Sequence, residues 1–145
     1  MREILTELRS IHEDMRVTET TQLLVAELEM QQGVVNRAME SADNASIKLN
    51  GIHVDQRRLA AEMTHVEEQI DKAANADEKN ALAQENERRK VNVETMKNIE
   101  HEASTSLQFM EQRLQNAQDK LSSIESELNA AISRLGPAVK DAAQK

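Results

Sequence analysis

The stretch KAANADEKNALA, residues 72–83, lies between two long apolar patterns and contains neither Gly nor Pro. It does carry residues that commonly begin or end helices. Asn75 with Glu78 three residues later has the pattern of an N-cap with a capping-box acid, and Asp77 is an equal candidate for the cap. Because short loops of about two to five residues often join antiparallel helices, we predict a hairpin tip at residues 75–80, formed by Asn75, Asp77, Glu78 and Asn80.

Upstream of the tip, apolar residues recur with the alternating three- and four-residue spacing of a coiled coil. Twelve of the fourteen positions of this register between residues 28 and 73 are apolar. Gly33 and Gly51 fall on outward positions, so we expect one continuous helix; a break at Asn50-Gly51 is the alternative. The main members of this first seam are Leu28, Val35, Leu49, Ile52, Leu59, Met63, Val66 and Ile70.

A second seam follows the tip. Upstream of it, Met96, Ile99 and Ala103 join the pattern through an extra four-residue step, which predicts a local 11-residue spacing. Gly136 and Pro137 are typical of a helix end, so we expect residues 136–145 to form a frayed tail. The main members of the second seam are Leu107, Met110, Leu114, Leu121, Ile124 and Leu128.

Each seam requires a partner helix, because an amphipathic helix does not leave such a stripe in water. The arms, at about 20–74 and 78–135, have similar lengths, so each is the simplest partner for the other. The predicted fold is therefore all-α, an elongated antiparallel coiled-coil hairpin preceded by a short N-terminal amphipathic helix. A parallel dimer between two chains would satisfy both seams as well and remains the alternative.

The N-terminal residues carry a third apolar pattern. Its phase is offset by one residue from the first seam, and the mismatch falls at VTETT, residues 17–21, where Thr is a weak helix former. We therefore predict a separate amphipathic helix over residues 1–17, joined flexibly to the hairpin; a continuous helix is the alternative. It could bind a membrane surface, another helical subunit or the hairpin itself. We call this set of residues the N-terminal stripe: Ile4, Leu5, Leu8, Ile11 and Met15.

The composition argues against an enzyme. Phe109 is the single aromatic residue, Cys is absent, and charged residues make up 30% of the chain, which suits a coiled coil better than a thick globular core. Glu62 and His65 supply half of a di-metal motif without a matching half in the second arm. His53 looks isolated. We expect no catalytic residue, no metal and no cofactor.

The net charge of −8 argues against nucleic acid as a partner. The first residues are interrupted by charge every few positions, so they do not resemble a signal peptide. No stretch approaches the length of a membrane span. We therefore expect a cytoplasmic protein, at most peripheral to a membrane.

The layout resembles the phage-shock-protein-A family of the ESCRT-III-like membrane-remodelling proteins. A short amphipathic helix, a long helix, a tight turn and a second long helix occur in that order over residues 1–135, and the segment 81–134 (ALAQENERRKVNVETMKNIEHEASTSLQFMEQRLQNAQDKLSSIESELNAAISR) is similar to the family's second arm. The resemblance implies hairpins that stack side by side into a polymer, with residues 1–16 facing lipid. The acidic N-terminal helix and the joint without Pro differ from the family pattern.

These observations predict a non-enzymatic, self-assembling coiled-coil scaffold at a membrane surface. The expected partners are further copies of the chain in a homo-oligomer or polymer, a membrane surface through residues 1–16, or a helical protein. The alternative function is a coiled-coil adaptor or chaperone subunit of a larger assembly, such as a secretion machine or a phage particle.

Overall fold

A computed structural model describes residues 2–135 of the chain, and two helices account for nearly all of them. Helix α1 spans Arg2–Lys72 and helix α2 spans Ala76–Ser133. The two helices run antiparallel and pack against each other within one chain. The prediction of an all-α antiparallel hairpin is thereby confirmed.

The connection between the helices is shorter than predicted and lies slightly upstream. Only residues 73–75 separate α1 from α2, so Asp77, Glu78 and Asn80 belong to the first turns of α2 rather than to a loop. The Oδ1 atom of Asn75 accepts a 2.8 Å hydrogen bond from the backbone N–H of Glu78. The carbonyl of Asn75 accepts the 3.2 Å backbone bond from Lys79. Both bonds make Asn75 the N-cap of α2.

The expected joint at residues 17–21 is absent, because α1 is helical without interruption from Arg2 to Lys72. The threonines of this segment donate their hydroxyl groups to carbonyls one turn earlier. Thr18 bonds to Asp14 at 2.9 Å and Thr21 bonds to Val17 at 2.8 Å. Since the hydroxyl groups of these threonines already have hydrogen-bond acceptors within the helix, they do not act as caps that would end it. The N-terminal helix is thus the beginning of α1.

The chain divides into two compact units. The first combines Met1–Met39 with Arg113–Lys145, and the second is Glu40–Gln112. In the first unit, Leu24, Ile124 and Ala131 form a buried cluster that Leu28 and Leu128 extend. In the second unit, the buried apolar residues are Ala42, Ile52, Val66 and Ala103.

The structure places the predicted seam residues between the two helices. Val35, Ile52, Val66 and Ile124 are buried. None of the described side chains is fully buried, as expected where only two helices enclose a seam. The remaining predicted seam residues are half-buried: Leu28, Leu49, Leu59, Met63, Ile70, Leu107, Met110, Leu114, Leu121 and Leu128.

Gly33 and Gly51 lie inside the continuous helix α1, so the alternative of a break at residues 50–51 is not observed. A Cβ atom at position 51 would meet no other atom within 4 Å. Glycine is therefore not required there by packing. The predicted frayed tail, residues 136–145, lies outside the described residues.

Candidate functional site

The N-terminal stripe is exposed along its whole length. The exposed fractions of its five residues are 62% for Ile4, 57% for Leu5, 56% for Leu8, 56% for Ile11 and 58% for Met15. Large apolar side chains grouped on one face of a helix in this way are typical of an interaction surface rather than of a solvated one. The stripe does not pack on the described part of the hairpin.

The described part of α2 covers no face of the segment that carries the stripe, since every residue from 2 to 16 is exposed. The seam of α1 continues upstream of Leu24 through Thr21 and Val17, both of which are half-buried. The N-terminal stripe is offset from that register by one residue, and one residue of an α-helix is a rotation of about 100°. Because α1 is unbroken, this rotation is fixed, and the stripe lies on a different face of α1 from the seam.

Acidic residues border the stripe. Asp14 and Glu19 line a shallow groove together with Ile11 and Met15. Glu7, one turn upstream of Ile11, lies on the same edge as Asp14, because seven residues are two turns of helix.

The arginines of this segment lie elsewhere on the helix. Arg16 lines a neighbouring groove together with Asp14, on the side where Ala131 of α2 and Arg134 lie. Arg2 and Arg9 precede it at seven-residue intervals, so they share its face. Around Ile11 and Met15, the stripe therefore combines an apolar centre with carboxylate edges.

The tip residues are exposed in the structure. Asn75, Asp77, Glu78 and Asn80 all lie at the surface of the second unit. The Oε2 atom of Glu78 accepts a long, 3.4 Å hydrogen bond from the backbone N–H of Ala74. This reciprocal bond resembles a capping box, shifted by one residue from the usual donor. The described contacts of these residues give the tip a structural role.

Gln31 is one of two polar residues at first-seam positions, and it is buried. Its Nε2 donates a 2.9 Å hydrogen bond to the carbonyl oxygen of Ala117, which links the helices of the first unit. A buried polar group at a seam position favours one alignment of two helices, because sliding would leave it without a partner.

The prediction of an extra four-residue step at Ile99 is wrong. Ile99 is 43% exposed, and Glu100 is the half-buried residue at that level of α2. Regular three- and four-residue spacing therefore continues from Ala103 through Glu100 and Met96 to Val93. The second seam is longer and more regular than its apolar residues indicate.

The opposite helix supplies the partners of Glu100. Nε2 of Gln56 donates a 2.7 Å hydrogen bond to Oε2 of Glu100, and Nε2 of His53 lies 2.9 Å from Oε1. The sequence suggested that His53 is isolated, but the structure places it against Glu100. We call these three residues the Glu100 cluster.

Hydrogen bonding alters the acidity of this carboxylate. The bonds from Gln56 and then from His53 hold the pKa of Glu100 below its ordinary value of 4.5. Both bonds favour the ionised form, because a carboxylate accepts where a protonated acid would have to donate.

Two more polar residues occupy seam positions near the tip. Asn86 is buried, and its Oδ1 has no hydrogen-bond partner among the described residues. Arg89 is half-buried: its Nη1 lies 3.0 Å from Glu85, an ion pair without hydrogen-bond geometry, and its Nε lies 3.8 Å from Glu62. An unsatisfied buried amide oxygen costs free energy, so Asn86 destabilises this part of the second unit.

The structure shows no group of three or more metal-ligating side chains within residues 2–135. Glu62 and His65, the half-motif seen in the sequence, are both exposed. Neither α1 nor α2 contains, in its described part, an apolar stretch long enough to cross a membrane. Comparisons with protein-family models, curated proteins and solved structures returned no match.

Proposed function

We propose that the chain is a non-enzymatic coiled-coil scaffold subunit that assembles through its N-terminal stripe. The observation that carries the proposal is the exposure of Leu8, Ile11 and Met15, each above 55%, on one face of a helix whose downstream part forms the hairpin seam. Burying about three such side chains would contribute several kcal/mol, since each is worth roughly 1.5–3 kcal/mol when fully buried.

A helical partner suits the stripe. Its residues follow the three- and four-residue spacing of a coiled-coil seam, which accepts the side chains of a second helix between its own. The adaptor or assembly-subunit function expected as the alternative from the sequence therefore becomes the leading proposal.

The second candidate is a scaffold at a membrane surface, as the resemblance to the phage-shock-protein-A family implies. The same exposed aliphatic side chains favour it. The acidic edges and the missing aromatic anchors weigh against it, because surface-binding helices usually have Lys or Arg on the polar face and Trp or Phe on the apolar face.

Sedimentation velocity, negative-stain imaging and vesicle co-sedimentation test the proposal on the wild-type chain, the Leu8→Glu variant and a Leu23→Glu control. Leu23 is 69% exposed on the same helix but lies outside the stripe. A wild-type chain that stays monomeric and binds no vesicles would favour the adaptor subunit, whereas polymers or oligomers lost only in Leu8→Glu would support a self-assembling scaffold. Lipid-dependent pelleting lost only in Leu8→Glu would support the membrane candidate.

A further inference from the structure

The N-terminal stripe has an electrostatic character that restricts its partner. The charged residues closest to its apolar centre are Glu7, Asp14 and Glu19, and two of them line the same groove as Ile11 and Met15. The nearest cation of α1, Arg16, lines a neighbouring groove that it shares with Asp14 and with Arg134, just after α2. Toward Met15, a ligand on the stripe therefore meets carboxylates on both edges of the contact, whereas Arg9 borders the stripe at Leu5, four residues earlier.

A second copy of the stripe is a poor match. In an antiparallel pair of such helices, residues on the same edge face each other, which sets Glu7 of one copy against Asp14 of the other. In a parallel pair, Asp14 would face Glu19 of the other copy, five residues further on. Either arrangement places like charges together, which destabilises the pair.

Anionic lipid is also a poor match. A helix that lies on a membrane through the stripe would bring Glu7, Asp14 and Glu19 to the level of the headgroups. Arg9 would border the contact only at Leu5, since it lies roughly 130° from the centre formed by Ile4, Leu8, Ile11 and Met15. Negative surface potential attracts basic segments and repels this arrangement.

We propose that the N-terminal stripe binds an amphipathic helix of another protein whose apolar seam is flanked by Lys or Arg. This inference rests on the proposed assembly function and specifies its partner. The apolar seam of that helix would cover Leu8, Ile11 and Met15, and its cations would pair with Glu7, Asp14 and Glu19. The stripe spans about 17 Å from Ile4 to Met15 at roughly 1.5 Å per residue, so about three turns of the partner helix make the contact.

Synthetic peptides test the proposal with the full chain. The probe is a 21-residue helix-forming peptide with Leu at its seam positions and Lys at the flanking positions; two matched peptides carry Glu or Gln in place of Lys. Fluorescence anisotropy of labelled peptide gives the Kd. We expect the Lys peptide to bind at least tenfold more tightly than the Glu peptide. We also expect this difference to shrink between about 50 and 500 mM NaCl, where screening increases.

Two pairs of variants separate docking from general attraction to an acidic protein. Leu8→Ser should weaken binding of the Lys peptide at least tenfold, whereas Leu23→Ser should not. The double variant Glu7→Gln/Asp14→Asn should also weaken it, whereas Glu125→Gln/Glu127→Gln, an equal change in net charge at exposed sites on α2, should not. Equal effects within either pair would overturn the inference.

The remaining outcomes distinguish this inference from the assembly function on which it rests. Stripe-dependent self-association, or stripe-dependent binding to vesicles of phosphatidylcholine with phosphatidylserine, combined with no preference for the Lys peptide, would overturn the basic-helix partner and leave a scaffold function standing. Failure of the stripe to bind peptide, vesicle or second copy would overturn both.

Discussion

Gln56 of α1 and Glu100 of α2 are joined by a 2.7 Å hydrogen bond at a level of the hairpin where apolar residues usually meet. Gln56 occupies a seam position that the sequence already marks as polar, whereas Glu100 occupies one that the sequence assigned to Ile99. The bond shows that polar pairs, as well as apolar contacts, hold the helices of the second unit together.

The Glu100 cluster should make the stability of the folded chain depend on pH in the acidic range. The pKa of Glu100 is lowered in the folded chain, so its stabilising contribution is complete above its ordinary value of 4.5 and is lost as pH falls through the lower folded value. We expect the midpoint of thermal unfolding to fall less steeply between about pH 5 and pH 3 in Glu100→Gln than in the wild type. Circular dichroism at 222 nm measures this midpoint.

Glu125→Gln is the matched control for the acid titration, because Glu125 is exposed on the same helix. Its unfolding midpoint should follow the wild type as pH falls. If the unfolding midpoints of Glu125→Gln and Glu100→Gln change equally with pH, the hydrogen bonds to Glu100 do not cause the loss of stability in acid.

Gln31 should fix the alignment of the helices in the first unit at a cost in stability. Replacement by Leu would remove the bond to Ala117 but add buried apolar area, so we expect Gln31→Leu to stabilise the chain by about 1 kcal/mol in urea unfolding. The distance distribution between spin labels at residues 27 and 120 should broaden, because sliding would no longer strand a polar group. The chain lacks Cys, so two introduced cysteines label specifically. An unchanged distribution would show that Gln31 does not set the alignment.

As the N-cap of α2, Asn75 should contribute more to stability than Asp77, the other candidate for the cap. Asn75→Ala removes the 2.8 Å bond to the backbone of Glu78 and should cost about 1 kcal/mol in urea unfolding. Asp77→Ala removes only a favourable charge near the helix N-terminus, which is worth roughly 0.3–1 kcal/mol. A larger loss in Asp77→Ala than in Asn75→Ala would contradict the assignment of the cap.

Ile52 and Ile99 lie in the same unit and test the corrected register of the second seam. Ile52 is 9% exposed and Ile99 is 43% exposed. Ile52→Ala should cost about 2–4 kcal/mol through lost burial and an unfilled cavity, whereas Ile99→Ala should cost less than about 1 kcal/mol. Equal losses in chemical denaturation would favour the 11-residue spacing over the regular one.

The N-terminal stripe shows which features of this helix can be predicted from the sequence alone. The spacing of Ile4, Leu8, Ile11 and Met15 is a local property, so the sequence predicted both the apolar face and its one-residue offset from the seam. Whether the helix breaks at this change of phase depended on residues 17–21. Their low helix propensity is compensated by threonine hydroxyls that donate hydrogen bonds within the helix.

The sequence by itself determined the two seams, the position of the tip near Asn75 and the apolar N-terminal face, because each follows from the order of residues along one helix. Only the tertiary structure decided which helix faces which within the chain and which polar residues enter the seam. Glu100 takes the place predicted for Ile99 because His53 and Gln56, more than forty residues earlier, lie opposite and donate to its carboxylate. A partner that distant in sequence leaves no periodic signal, so packing alone reveals it.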